Sequence, residues 1–461
     1  MKKHLLLLGL LFSLLSTLNS LAENVSSEVR GLADTVKVKK MNRYYQFSID
    51  LSRKEISRRE IGRAYGAAIK QIEPRYGSLI DSYFAGEIKD QARYNIIMER
   101  IKSIWPNLPA TVKDEIEGIA EEVCSTNKNI MGDGLLSPDE FKMLNLVGDV
   151  LRSTNCSGVG VIPEASSSGN MLVARNVDWD DGKTYQLSYL QAIINYKLSD
   201  QRSLTLIGYL GLVTAASGVS TNTDTINNKT DNLFFAILDS DIGGRFIYEN
   251  RRSYPADLRE YAEMVHQVNA MVNLLDRTAE QYTFGHLILL ADRDSLGVYE
   301  DNLTFGKNKL RTVKDNPSLR IPWHDPNTIG AVNCFMLKTS IDNTLGVDNT
   351  RDAAATNKQT SDNIYVGNVK RWASQQRLLH EHSGKYSIED LKGVSSYGPG
   401  EATNGFIYRP CTQQIIVFEP ATGWLEVAFH PVGRAIQKKE APFFQKVQIP
   451  RYGPIEQKSS F

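Results

Sequence analysis

A chain of 461 residues, 41% of them hydrophobic, is long enough for one large or two medium domains with a substantial core, which excludes a disordered chain. Lysine plus arginine and aspartate plus glutamate each number 53 and no long run of one sign occurs, so there is neither a nucleic-acid footprint nor a polybasic membrane patch. The expected partner is a small molecule.

The chain opens with Met1-Lys2-Lys3, an apolar run from Leu5 to Leu15 and then Ser20-Leu21-Ala22, the basic, apolar and small-residue parts of a secretory signal over residues 1–22. The run is too short to span a bilayer and no second long apolar stretch follows, so the expectation is a secreted or periplasmic protein with no integral membrane segment. Residues 23–155 form a helical N-terminal segment. From Arg53 to about Val150 apolar positions such as Ile56, Ile61, Ala64 and Tyr65, or Ile116, Ile119 and Val123, recur at helical spacing. Ser137-Pro138-Asp139-Glu140 fits a helix start, with Ser137 as N-cap and Pro138 at the first position. Asn127 to Glu140 lacks acidic ligands at alternate positions, so no calcium site, and no other metal or cofactor, is expected there.

At Cys156 the texture changes, and residues 156–461 form the second unit. Val159 to Ile162, Met171 to Ala174, Leu204 to Ile207, His286 to Leu290, Gly405 to Tyr408, Gln414 to Phe418 and Trp424 to Phe429 are short apolar runs between turn residues and predict strands. Pro255 to Asp276 and Asn368 to His380 predict helices, while the polar stretches Ser220 to Asn232 and Asp348 to Asn363 predict loops or lids. The fold class is α+β, with sheets sandwiched by helices. Four cysteines, Cys124, Cys156, Cys334 and Cys411, are too few for a disulfide framework.

A lone cysteine is weak evidence of chemistry, because free cysteines are often buried and inert. Around Cys156, however, stand Gly169, Arg175-Asn176-Val177-Asp178-Trp179, Gly208-Tyr209-Leu210-Gly211 and Ser217 to Asn222. Glu60-Ile61-Gly62-Arg63-Ala64-Tyr65-Gly66 and Glu115 to Ala120 precede it, and Val332-Asn333-Cys334, Trp372 to Arg377 and the run from Ala402 to Phe429 follow. In order and spacing these elements resemble the acyltransferase and amidase branch of the N-terminal-nucleophile hydrolases. That branch includes isopenicillin N acyltransferase, with acid ceramidase and the choloylglycine hydrolases as more distant relatives. The resemblance implies a four-layer αββα sandwich and a precursor that cuts itself between Asn155 and Cys156. Asn155 departs from the glycine often found there, and Val394 to Tyr397 lacks an arginine that some members carry.

The chemistry is coherent without the resemblance. A thiol with a reference pKa near 8.5 needs a base, and an α-amine with a reference pKa of about 7.7 to 8.0 is partly neutral at the same pH. An N-terminal Cys156 would carry both, and only after the bond to Asn155 breaks. Asp178 is the candidate to hold the protonated amine, and Arg175 to orient that carboxylate, favour the thiolate or bind a carbonyl oxygen. In an ideal strand residues three apart face opposite ways, so both reach Cys156 only if the strand ends or bulges between them. By resemblance Asn333 is the oxyanion donor, with Asn222 second, although Asn222 lies in a stretch where a turn asparagine is equally expected. The expected function is hydrolysis or transfer of the acyl group of a linear amide through a Cys156 thioester, without a cofactor, the two fragments staying associated. The alternatives are a lipid amidase or ester hydrolase and a secreted binding protein that has lost the chemistry.

Overall fold

The computed structural model describes residues 35–151, 156–224, 226–227, 229–238, 250–301, 308–337, 366–382, 384–398 and 405–452. The signal segment 1–22, Asn155 and the polar stretch 348–363 lie outside the described residues.

Two strands open the described chain, β1 (Val36–Lys40) and β2 (Tyr45–Asp50), followed by the helices α1 (Arg58–Ile72), α2 (Tyr76–Glu87), α3 (Gln91–Ile104), α4 (Ala110–Val123), α5 (Pro138–Asn145) and α6 (Val147–Val150). Ser57 and Glu60 close a capping box on α1, and Ser137 and Glu140 close another on α5 behind Pro138. Helices α1 and α4 meet at glycines: a Cβ on Gly62 would stand 2.4 Å from the Glu115 carbonyl oxygen, and one on Gly118 2.1 Å from that of Arg59.

After Cys156 come β3 (Ser157–Val161) and β4 (Leu172–Asp178), then β5 (Gln191–Lys197), β6 (Arg202–Tyr209), β7 (Ser217–Asp224) and β8 (Lys229–Ile237). Helices α7 (Tyr254–Met264) and α8 (Val268–Asp276) lead into β9 (His286–Ala291), β10 (Leu296–Asp301), β11 (Lys309–Arg311) and β12 (Thr328–Val332). Helices α9 (Val366–His380) and α10 (Ile388–Ser395) precede β13 (Thr412–Glu419), β14 (Trp424–Phe429) and β15 (Phe444–Val447). A 9-stranded sheet runs β1-β2-β5-β6-β7-β8-β9-β10-β11, antiparallel except where β2 pairs with β5, and a 6-stranded sheet runs β12-β3-β4-β13-β14-β15.

Three apolar clusters fill the spaces. One packs helices α1 to α8 on the larger sheet through Tyr65, Ile116, Phe141, Ile194 and Leu290. The second lies between the sheets, with Val173 and Phe418 meeting Ile207 and Phe234. The third covers the other face of the smaller sheet with Trp372, Leu379 and Leu391. The protein is thus mixed α and β, with two sheets and helices. Among the described residues no helix is long and apolar enough to cross a membrane.

Three elements differ from expectation. Ser220 to Asn232 is not a loop: it forms most of the β7–β8 hairpin, in which Thr221 pairs with Asn232. Buried polar side chains at its centre are paired, the Thr221 hydroxyl donating to Asn232 Oδ1 at 2.9 Å and Asn232 Nδ2 to the Pro420 carbonyl at 2.7 Å, so low hydrophobicity does not prevent a strand. Pro255 to Asp276 is two helices. The break at Val265 to Gln267 lets the Val265 carbonyl accept from Ser220 and the Val268 N–H donate to Asp292. Gly405 to Tyr408 is a turn, with the N–H groups of Ile407 and Tyr408 both on the Tyr397 carbonyl.

Candidate active site

Cys156 immediately precedes β3 and is buried, with 3% of its surface exposed. Strand alternation carries Arg175 of β4 to the face between the sheets, together with Val173 and Val177. From there Arg175 Nη2 lies 3.5 Å from the Cys156 sulfur. Its Nη1 donates to Ser217 Oγ at 2.5 Å and Nη2 to the Ile237 carbonyl, while the buried Nε has no partner among the described residues. The larger sheet therefore fixes the guanidinium beside the sulfur of the smaller one.

Asp178 ends β4. Its carbonyl accepts from the Cys156 thiol at 3.9 Å, and its carboxylate Oδ1 accepts from the Thr412 hydroxyl at 2.6 Å. Carboxylate Oδ2 is buried without a partner among the described residues. Burial pushes this carboxyl above the usual carboxylate range, opposed by Arg409, Arg371, Thr412 and Arg175. The odd separation of Arg175 and Asp178 is resolved at the end of β4, where pairing with β13 shifts register between Thr412 and Gln414. Arg175 serves the sulfur, and Asp178 sits where the strand stops.

Asn333 follows Val332, which pairs with Ser157, so continuation of the register sets Asn333 across from Cys156. It is fully buried; Nδ2 donates to the Leu238 carbonyl and Oδ1 accepts from Arg371 Nη2 at 2.9 Å. Asn222 is not brought to this group. It stands on β7 five residues beyond Ser217, roughly 16 Å along a strand at about 3.3 Å per residue, paired with Arg202 and Asp231 and partly exposed.

Sequence reasoning missed Arg371. Its Nη1 donates to the Cys156 carbonyl at 2.8 Å, and Nη2 bridges Asn333 and Asn368. Asn368, Arg371 and Gln375 occupy one face of α9, all buried, and Gln375 donates to the Gly158 carbonyl at 3.1 Å. The signal was this polar stripe at helical spacing beside buried Trp372. The arginine in the quoted motif, Arg377, instead pairs with Glu381 at 2.7 Å near the surface.

No disulfide links the four cysteines. Burial pushes the Cys124 and Cys411 thiols up to about 12, with nearby Glu140 and Asp178 adding to it. The cavity beside Cys156 is walled chiefly by Leu144, Val147, Val177, Trp179, Leu187 and Leu212, and among the described residues no histidine lines it. Helices ahead of Cys156 and strands after it both contribute.

No protein-family model and no curated protein matches the chain. Among solved structures it is similar to a Caenorhabditis elegans N-acylethanolamine-hydrolyzing acid amidase (NAAA) ortholog at 13% identity and a TM-score of 0.36, over 58% of this chain and 93% of that one. So loose a likeness carries no argument about chemistry, which rests on the site itself.

Proposed function

We propose that the protein is a self-activated cysteine hydrolase or acyltransferase of the N-terminal-nucleophile type, acting on amides with an apolar acyl group. The three apolar clusters support reading its layers as helix, sheet, sheet, helix. The observation that carries the function is the convergence on one residue: Arg175 on the Cys156 sulfur and Arg371 on its carbonyl, with the buried Oδ2 of Asp178, which has no partner among the described residues, at the adjoining strand end. A buried carboxylate oxygen without a donor is costly. The α-ammonium created by cleavage after Asn155 would supply that donor.

In the cut enzyme the neutral α-amine of Cys156 takes the thiol proton while the sulfur attacks the amide carbon. Arg175 stabilises the charge on sulfur, and the side chain of Asn333 is the candidate donor to the tetrahedral oxyanion. The α-ammonium returns the proton to the leaving nitrogen, the C–N bond breaks and a thioester remains. Water or another amine then attacks the thioester, with the same α-amine as base. The apolar wall beside Cys156 favours a mainly apolar acyl group, including that of a lipid amide.

Intact-mass measurement of the purified protein is the direct test. Cleavage predicts a fragment of 306 residues, 461 less the 155 ahead of Cys156, and Cys156→Ala should remain one inactive chain. An active preparation containing only the uncut chain overturns the proposal.

A further inference from the structure

Tyr209 is the last residue of β6 and pairs with Gln191. Its position is fixed from behind. The Leu210 N–H donates to the Leu190 carbonyl, the Tyr76 hydroxyl to the Leu210 carbonyl at 3.0 Å, and the Gly211 N–H to the Tyr65 hydroxyl at 3.1 Å. Gly211 has φ +72 and a Cβ there would stand 2.2 Å from the Tyr76 hydroxyl, so the turn after Tyr209 admits glycine only.

At the end of β6 Tyr209 packs on the helix-side apolar cluster of the larger sheet, and its ring lines the cavity that holds Cys156 and Arg175. The ring is partly exposed, yet the hydroxyl is buried and has no hydrogen-bond partner among the described residues. In the same cavity the buried Nε–H of Arg175 also lacks one. Buried donors are nearly always satisfied, and in a cavity lined largely by apolar residues, Leu187, Val177 and Leu212 among them, a phenylalanine would meet the packing need equally well. Burial holds its pKa well above the ordinary value, with Tyr83 and Asp181 adding to it, so it is a donor at every physiological pH.

We propose that Tyr209 is a specificity-determining residue whose hydroxyl donates to an oxygen carried by an otherwise apolar acyl chain. The substrate class is thereby an oxygen-bearing acyl amide and not a plain hydrocarbon one. The selection rests on the proposed acyl chemistry at Cys156 only for its biological use; the recognition itself is a binding property. A site that holds a donor for a substrate oxygen discriminates against the analogue lacking it, because the donor is then left unpaired.

Calorimetry on the full-length, uncut Cys156→Ala chain tests this without catalysis. The probes are octanoic acid and its analogues with one ether oxygen in place of the methylene at position 3, 4, 5 or 6. With Tyr209 present, at least one ether acid should gain affinity relative to octanoic acid by roughly threefold to tenfold over the same ratio in the chain that also carries Tyr209→Phe. Equal ratios in the two chains at every oxygen position, or no binding of any of the acids, overturn the proposal. Tyr209→Phe removes only a hydroxyl that has no partner among the described residues, so its Tm should not fall, and a marked fall would mean the hydroxyl has a structural role and would also overturn it. Aminomethylcoumarin amides of the same acids on the processed enzyme give the second arm. A Tyr209→Phe loss equal for all of them and confined to kcat would place the hydroxyl on the reacting carbonyl, against the proposal. If the processed protein hydrolyses none, the Cys156 chemistry fails while the binding ratios still decide the role of Tyr209.

Discussion

Asn333 and Arg371 form one unit, because Arg371 Nη2 donates to Asn333 Oδ1 while Nη1 holds the Cys156 carbonyl. If the Asn333 amide serves the oxyanion, Asn333→Ala should lower kcat by roughly a hundredfold to a thousandfold with little change in KM, the usual cost of one lost donor. The variant must first be shown by mass to be cut at Cys156; normal turnover in cut Asn333→Ala would remove it from that role. Arg371→Lys is expected to fail at an earlier step. A lysine ammonium cannot match the planar fork that reaches Cys156, Asn333 and Asn368 together, so the Cys156 carbonyl beside the proposed cleavage site loses its hold and most of the protein should stay a single chain on a denaturing gel. At this scale the sequence was readable where the candidate site lies on strands close to Cys156. Cys156, Arg175 and Asp178 lie within 23 residues of chain, and the end of β4 allows the odd spacing. Arg371 was hidden because which face of α9 turns inward is settled by packing on β12, and Asn222 was misplaced because its polar neighbours belong to a paired hairpin.

Helix α1 approaches α4 through Gly62 and Gly118, so what looks like a family signature in Glu60 to Gly66 has a packing cause. Gly62→Ala would drive a methyl into the Glu115 carbonyl and should destabilise by about 1–3 kcal/mol or more, although alanine is the better helix former. Gly86 in α2 is the control: nothing lies within 4 Å of its would-be Cβ, and Gly86→Ala should gain up to about 1 kcal/mol. Urea midpoints of the two variants should therefore move in opposite directions. Helix α5 offers a pH test. Burial pushes the Glu140 carboxyl up to about 6 from 4.5, against its hydrogen bonds from Ser137. The folded state then binds the proton more tightly than the unfolded one, so stability is lost as pH rises from about 4.5 through 6. Glu140→Gln keeps an acceptor for the Ser137 N–H and never ionises. It should melt above the parent at pH 7.5, with the gap closing towards pH 4.5; a gap that does not change with pH would mean the carboxyl titrates normally. The capping boxes were legible because they are local in sequence, whereas β7 and β8 were not, since Ser, Thr and Asn become strand residues only when cross-strand partners satisfy them.

Across the molecule, the segment ahead of Cys156 is bound into the part after it in two ways that the proposed cleavage after Asn155 would leave untouched. Strand β2 lies parallel to β5 in the larger sheet, and β1 extends it, so the N-terminal segment supplies strands as well as helices. Its helix α4 also places Glu115 in a buried network with α7 and β5. Glu115 Oε1 accepts from the Tyr196 hydroxyl at 2.8 Å, and Oε2 faces Arg259 at 3.4 Å and Arg58 at 3.3 Å. Arg259 has no exposed surface, donates to Glu263 and to the Val213 carbonyl at 2.9 Å each, and lies 3.9 Å over the Tyr196 ring. Exposed ion pairs at an interface would be screened in concentrated salt, but charges without water around them are screened far less. The cut protein should therefore elute as one species in 1 M sodium chloride, with both fragments in the peak. They should part only in denaturant, as the β2–β5 ladder and the apolar cluster they share are lost. Glu115→Ala is the informative variant, because it leaves Arg259 buried with one carboxylate fewer, a loss that typically costs about 3–5 kcal/mol. Its uncut form, made with Cys156→Ala, should unfold at lower urea than Cys156→Ala alone. Its cut form should release the small fragment below the urea concentration that unfolds the parent. Separation of the parent's fragments in salt alone would show instead that exposed charge holds them, and an unshifted urea midpoint in Glu115→Ala would take the network out of the association.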